Sequence, residues 1–259
     1  MLLGHPSSLE FPEIVAIYDR FAALHSLSSE LGGWLLLHDL LDRDGVALSM
    51  AANAAGLASL CIEPEAFLAK QSLRAGICDF MVNNLDEALR ILKNEIRKQR
   101  PVSVVLVGEP EQVAVEAVER GLQPEIVHLR SEDFPDHRLP EVATFLARGA
   151  RLLPEQQHAN NKIPVHWSVA REPLRWLPLA DSRIVDVLDV RDRTTPWRKH
   201  WVEGSPRYLG RHFAAQRFLR MTPVEADAFF AAVQHDVESG EIQVAVSVVR
   251  NGQEELVLS

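Results

Sequence analysis

Two acids near the start of this chain stand where chemistry could happen. Asp39 ends a first apolar run and Glu63 ends a second, with the turn "DLLDRDG" and a small-residue segment between them. An acid closing the second strand of a dinucleotide-binding fold takes ribose hydroxyls, and one closing the first strand faces the same crevice. Each also has a plainer reading. Glu63 precedes Pro64 at a helix start, where the dipole favours a carboxylate, and Asp39 sits where aspartates commonly cap helices.

A second group lies in "RDRTTPWRKHWVEGSPRYLGRHFAAQRFLR", residues 191–220, which holds eight Arg or Lys against two acids. Arg forks bind carboxylates and phosphates with two-pronged geometry, so Arg198, Lys199, Arg207 and Arg211 are candidate anion-binding residues. The interleaved Trp197, Trp201, Tyr208 and Phe213 could stack on a planar ligand. The alternative is structural, with arginines paired to acids and their stems covering apolar surface. A third group, "SEDFPDH" at 131–137, clusters carboxylates and a histidine. It has no metal-motif spacing and reads as a solvated loop.

The elements that must position these residues are legible from periodicity. Residues 10–30 place apolar side chains at spacings of three and four, which predicts an amphipathic helix. Short apolar runs at 34–38, 58–62, 77–82, 103–107 and 125–129 predict strands, nearly continuous in apolar character as buried parallel strands are. Helical patterns fill the gaps, the third capped by Asn84 and ending in Lys and Arg. This alternation predicts a doubly wound, mostly parallel Rossmann-like α/β domain over residues 1–150. Residues 151–259 read as a smaller α+β region. In it "DSRIVDVLDV" reads as a strand and "TPVEADAFFAAVQHDVESG" as a helix capped at Thr222. Asn251–Gly252 should turn a terminal β-hairpin.

With those elements in place, a resemblance becomes specific. The stretch "GWLLLHDLLDRDGVALSMAANAAGLASLCIEP" from Gly33, then "RAGICDFMVNNLDEALRIL" and "PVSVVLVGEPEQVAVEAVERGLQPEIV", resembles in order and spacing the NAD-binding domain of urocanase (urocanate hydratase). The resemblance implies NAD as cofactor and a hydratase reaction on an imidazole acrylate. The family's glycine turn falls on "LLDRDGVAL", Leu40 to Leu48, of which Leu41, Gly45 and Ala47 are kept, so Gly45 joins Asp39 and Glu63 as a cofactor-side candidate. Asp42 and Asp44 put carboxylates where a pyrophosphate would lie, and like charges repel. The segment nearest the family's catalytic cysteine, "QRFLRMTPVEA", has none. Cys61 and Cys78 both align inside the cofactor domain.

Composition narrows the rest. With 47% hydrophobic and 24% charged residues the chain is an ordinary globular protein, and a net charge of -9 opposes broad attraction to nucleic acid. No apolar run is long enough for a membrane helix and the first residues lack a secretory pattern, so a cytoplasmic protein is expected. Two cysteines in apolar runs indicate no disulfide framework. The expectation is a shortened urocanase-like protein without hydratase chemistry or bound NAD. It binds a small anionic metabolite or nucleotide in the old crevice, with residues 191–220 as a cationic wall. An active NAD-dependent hydratase and a non-catalytic scaffold are the alternatives, and a homodimer is left open.

Overall fold

The computed structural model describes residues 8–131, 137–154, 161–210 and 212–257. The chain forms two compact units, Met1–Gln156 and Gln157–Ser259.

In the first unit, α1 (Ile14–Leu27) is followed by β1 (Leu35–Asp39), α2 (Arg43–Ala55), β2 (Ala58–Glu63), α3 (Ala66–Ala75) and β3 (Phe80–Val82). Then come α4 (Leu85–Arg97), β4 (Val102–Val107), α5 (Pro110–Glu119), β5 (Ile126–His128), α6 (Glu141–Ala147) and β6 (Arg151–Leu152). Each of the five apolar runs contains a strand, that of 77–82 confined to its last three residues. They join β6 in a parallel sheet of order β3-β4-β2-β1-β5-β6, flanked by helices.

Side chains alternate across such a sheet. Leu35, Leu37, Leu60, Ile62, Val104 and Leu106 point to one face, packed under α4, α5 and α6 through Leu92, Ala114, Ala117 and Phe145. The intervening positions, His38 among them, belong to the other face, where α1 packs on α2. The Asn84 side chain caps α4 by accepting a bond from the Glu87 N–H at 2.9 Å. Cys61 and Cys78 are buried free thiols, and burial raises the pKa of both, Cys78 to about 11.

The second unit comprises β7 (Ile163–Val169), α7 (Pro173–Val187), α8 (Thr195–Leu209), β8 (Gln216–Met221), α9 (Pro223–Glu238), β9 (Val246–Arg250) and β10 (Gln253–Val257). Its sheet is antiparallel, in the order β10-β9-β7-β8. Thr222 forms the expected capping box with Glu225. Asn251 and Gly252 both adopt positive φ, 49° and 80°, as the turn of a tight hairpin requires.

One expectation is corrected. Residues 181–187 of "DSRIVDVLDV" lie in α7 and are no strand. Trp176, Leu177, Ala180, Asp181 and Ile184 are the buried positions of that helix. Their spacing is helical, but the pattern starts upstream of Pro178, which punctuates it in the sequence.

The outer edge of β8 is closed by side chains. The carbonyls of Gln216, Phe218 and Arg220 accept bonds from Arg217 (3.0 Å), Trp201 (2.7 Å) and Arg198 (3.5 Å). At the opposite edge β10 exposes Glu254 and Leu256, while half-buried Glu255 is held by Arg250.

Candidate functional site

Strand β1 has β2 on one side and β5 on the other. The crevice at their carboxyl ends is the point where strand order reverses, and open α/β sheets bind ligands there. Arg130, two residues beyond β5, fills this position opposite Asp39. Its backbone N–H donates to Asp39 Oδ2 at 2.7 Å, Nε to Asp39 Oδ1 at 3.2 Å and Nη2 to the Asp39 carbonyl at 3.0 Å. The same guanidinium reaches Asp42, Nη1 to Oδ2 at 2.8 Å and Nη2 to Oδ1 at 3.3 Å.

Asp42 is also the cap of α2. Its Oδ1 accepts from the Gly45 N–H at 2.8 Å. The positive end of the helix that a dinucleotide-binding turn offers to pyrophosphate therefore meets a carboxylate of its own chain. Asp44, two residues on in the first turn of α2, receives Arg20 Nε at 2.8 Å and lies 3.6 Å from His128 Nε2.

The glycines of the turn have gone, yet part of its backbone shape persists. Leu40 adopts φ 59°, a left-handed conformation that suits glycine and strains a side chain with Cβ. Gly45 is retained for a steric reason, since a Cβ there would sit 1.8 Å from the Leu40 carbonyl oxygen. This is the close helix-to-strand approach that the last glycine of such turns permits.

Glu63 is fully buried. One oxygen accepts from the Leu41 N–H at 2.6 Å and the other from the Glu65 N–H at 2.8 Å, so its carboxylate ties the turn after β1 to the start of α3.

Charge and burial compete across this cluster. Burial raises the pKa of Asp39 more than Arg130 lowers it. Burial also opposes ionisation of Asp44, but His128, Arg20 and Arg130 together hold it well below the usual carboxylate range. Arg130 is itself held above its ordinary value by Asp42 and Asp39, against the effect of burial. His38 lies wholly buried on β1, with Nε2 3.3 Å from Ser49 Oγ. Desolvation, aided by His128 and Arg130, lowers its pKa to about 3.

Beside the crevice, at the carboxyl ends of β5 and β6, lies a cavity of about 300 Å³. Arg20, His128, Arg130, His137 and Arg138 line it, with Leu153 and Pro154 as apolar wall. Sequence reading singled out the 131–137 loop but missed Arg20, Arg130 and Arg138. The signal was an arginine two residues past the fifth strand. Glu132, Asp133 and Asp136 of that loop lie outside the described residues. Among the described residues no three His, Cys, Asp or Glu side chains gather as a metal site.

The basic segment of the second unit is distributed differently. Arg198 is fully buried, forked onto Glu225 at 2.8 and 2.9 Å and bonded to Asp192 at 3.0 Å. Lys199 is half-buried, and Arg207 is exposed with its guanidinium 5.6 Å over the Tyr208 ring. Arg211 lies outside the described residues. Arg217, a strand residue of β8, pairs with buried Asp181 at 3.1 Å. The structural reading of these arginines, as partners of acids, describes Arg198 and Arg217.

The parallel order, the switch-point crevice and the strand-turn-helix at Asp39 to Gly45 make the first unit a Rossmann-like α/β domain. Residues 18–137 match the family model of the urocanase Rossmann-like domain. The first unit thus carries a urocanase-like Rossmann domain over those residues.

Proposed function

We propose that the first unit binds a small anionic metabolite and carries neither NAD nor hydratase chemistry. The observation behind the reading is the lining of the 300 Å³ cavity by Arg20, His128, Arg130, His137 and Arg138. Such a cavity is at the small end of ligand pockets, sized for a carboxylate or phosphate metabolite and too small for a dinucleotide. Arginine forks suit such groups, and two of these arginines are already held in place by Asp39, Asp42 and Asp44.

The cofactor side of the proposal rests on three contacts. Asp42 occupies the α2 N-terminus, Arg130 spans the crevice, and both oxygens of Glu63 are engaged by backbone. A pyrophosphate would meet a carboxylate, and a ribose would have to displace two backbone bonds inside the fold. The missing cysteine in "QRFLRMTPVEA" argues the same way for the chemistry.

Titration calorimetry of the purified protein with orthophosphate, citrate, urocanate and NAD tests the reading. One of the small anions should bind, and Arg138→Ala should weaken it by about 1.5–3 kcal/mol, the range for a hydrogen bond to a charged group. NAD should not bind, and urocanate absorbance should stay at the protein-free rate with or without NAD. Binding of none of the small anions would remove the ligand proposal, and urocanate turnover would restore an active hydratase.

A further inference from the structure

A second cavity, of about 510 Å³, opens between α7 and α8 of the second unit. Pro178, Asp181, Ser182, Val185 and Asp186 line it from α7. Val202, Glu203 and Pro206 line it from α8, and Arg217 from β8. It lies wholly within the second unit and shares no residue with the first unit's crevice.

Both helices that form it carry an internal proline at the cavity, Pro178 and Pro206. A proline inside a helix removes one N–H from the ladder, and its ring pushes against the preceding turn. Val202, four residues before Pro206, is thereby denied its usual helical donor. The two prolines with Val185 and Val202 give the cavity apolar walls.

At its floor Asp181 and Arg217 are both about nine-tenths buried. Asp181 Oδ1 accepts from Trp167 Nε1 at 2.8 Å and Oδ2 from Arg217 Nε at 3.1 Å. Arg217 Nη1 is directed away, to the carbonyls of Phe213 and Gln216. Each carboxylate oxygen can take two donors, so Asp181 retains acceptor capacity. Burial raises its pKa despite Arg217 and Trp167, and a carboxyl so perturbed within a cavity is a common mark of a ligand site. At the rim stand Asp186 and Glu203, both exposed. The lining sets three acids against Arg217, and Arg183, 4.0 Å from Asp186, is itself shared with Asp236 and Glu241, so the cavity is net negative.

We propose that this cavity is a binding site for a small organic cation, an ammonium or amidinium carried on an apolar body. The apolar part lies between Pro178, Val185, Val202 and Pro206. The charged head donates to Asp181 and is attracted by Asp186 and Glu203.

The test uses the full chain with phenethylammonium as probe, and 2-phenylethanol and phenylacetate as its neutral and anionic counterparts. Calorimetry should give saturable binding of the ammonium, weakening as salt rises. The alcohol and the carboxylate should bind at least roughly tenfold more weakly. Asp181→Asn should weaken the ammonium by a similar factor, but it also alters the Arg217 pair, so its melting temperature is measured alongside. Asp186→Asn with Glu203→Gln changes exposed rim charges, of which Asp186 makes only a long 4.0 Å pair with Arg183, and should fold normally while losing several-fold in affinity. Absence of saturable ammonium binding at millimolar probe overturns the proposal. So does equal binding of the alcohol, or unchanged affinity in the folded rim variant.

Discussion

Arg198 and Glu225 meet as a two-pronged pair, Nη1 to Oε2 at 2.8 Å and Nη2 to Oε1 at 2.9 Å, with both residues buried. Glu225 is at the same time the third residue of the α9 capping box, its Oε2 accepting from the Thr222 N–H at 2.8 Å. It also accepts from the Asp189 N–H. One carboxylate thus joins the start of α9, the chain just past α7 and the first turn of α8. Removing Arg198 would leave that carboxylate buried without its counter-charge.

Arg198→Ala should therefore destabilise the second unit by about 3–5 kcal/mol, the usual result of breaking one side of a buried pair. Arg207→Ala, at an exposed position, should change stability by no more than about 0.5 kcal/mol. Urea unfolding of both variants followed by Trp fluorescence separates them. Equal stabilities would mean that the buried pair contributes nothing.

Gly45→Ala should be among the most damaging single-methyl additions in the chain. Its Cβ would lie 1.8 Å from a backbone oxygen, so α2 must move away from the turn after β1. A loss of about 1–3 kcal/mol or more is expected, as for overpacking generally. A melting temperature within a degree or so of the parent would show that the turn yields easily.

His38 makes stability depend on pH. Its pKa in the folded chain is lowered to about 3 from 6.5, so below pH 6.5 the unfolded chain binds a proton that the folded chain refuses. The contribution is fully present above 6.5 and is lost as pH falls toward 3, by at most about 1.4 kcal/mol per unit. His38→Gln should flatten the slope of unfolding free energy between pH 6 and 4. An unchanged slope would assign the acid sensitivity to the carboxylates instead.

Gly252→Ala should cost about 1–2 kcal/mol, since φ 80° there places an added Cβ against the following carbonyl. Circular dichroism melts of the pair would detect it. No change would mean the β9–β10 hairpin is uncoupled from the rest of its sheet.

The first unit was legible because its chemistry is local. Strands buried on both faces are largely apolar, so β1, β2 and β4 announce themselves as "LLLHD", "ASLCIE" and "VSVVLV". The second unit hid more. β7 carries Pro164 and β8 carries Arg217 and Arg220, residues that strand patterns discourage. Arg217 is accommodated by Asp181 and the carbonyls of Phe213 and Gln216, Arg220 lies over the Phe218 ring, and Pro164, near the start of β7, still accepts from the Asn251 N–H. At the site, Asp39 and Glu63 were visible as acids ending strands. Arg130 was not, because its partners lie 91 and 88 residues earlier and meet it only once β5 is laid beside β1. What an acid at a strand end does depends on that neighbour.

The closed edge of β8 has a consequence for how this protein behaves when crowded. A strand arriving at that edge would find the carbonyls of Gln216, Phe218 and Arg220 already bonded to side chains. At β10 it would meet exposed Glu254 beside Leu256. The first sheet ends in strands of only three and two residues, β3 and β6. Growth by strand addition, the usual route to fibres, is therefore discouraged at β8 and at both short margins of the first sheet, and β10 is left as the one longer edge among the described strands.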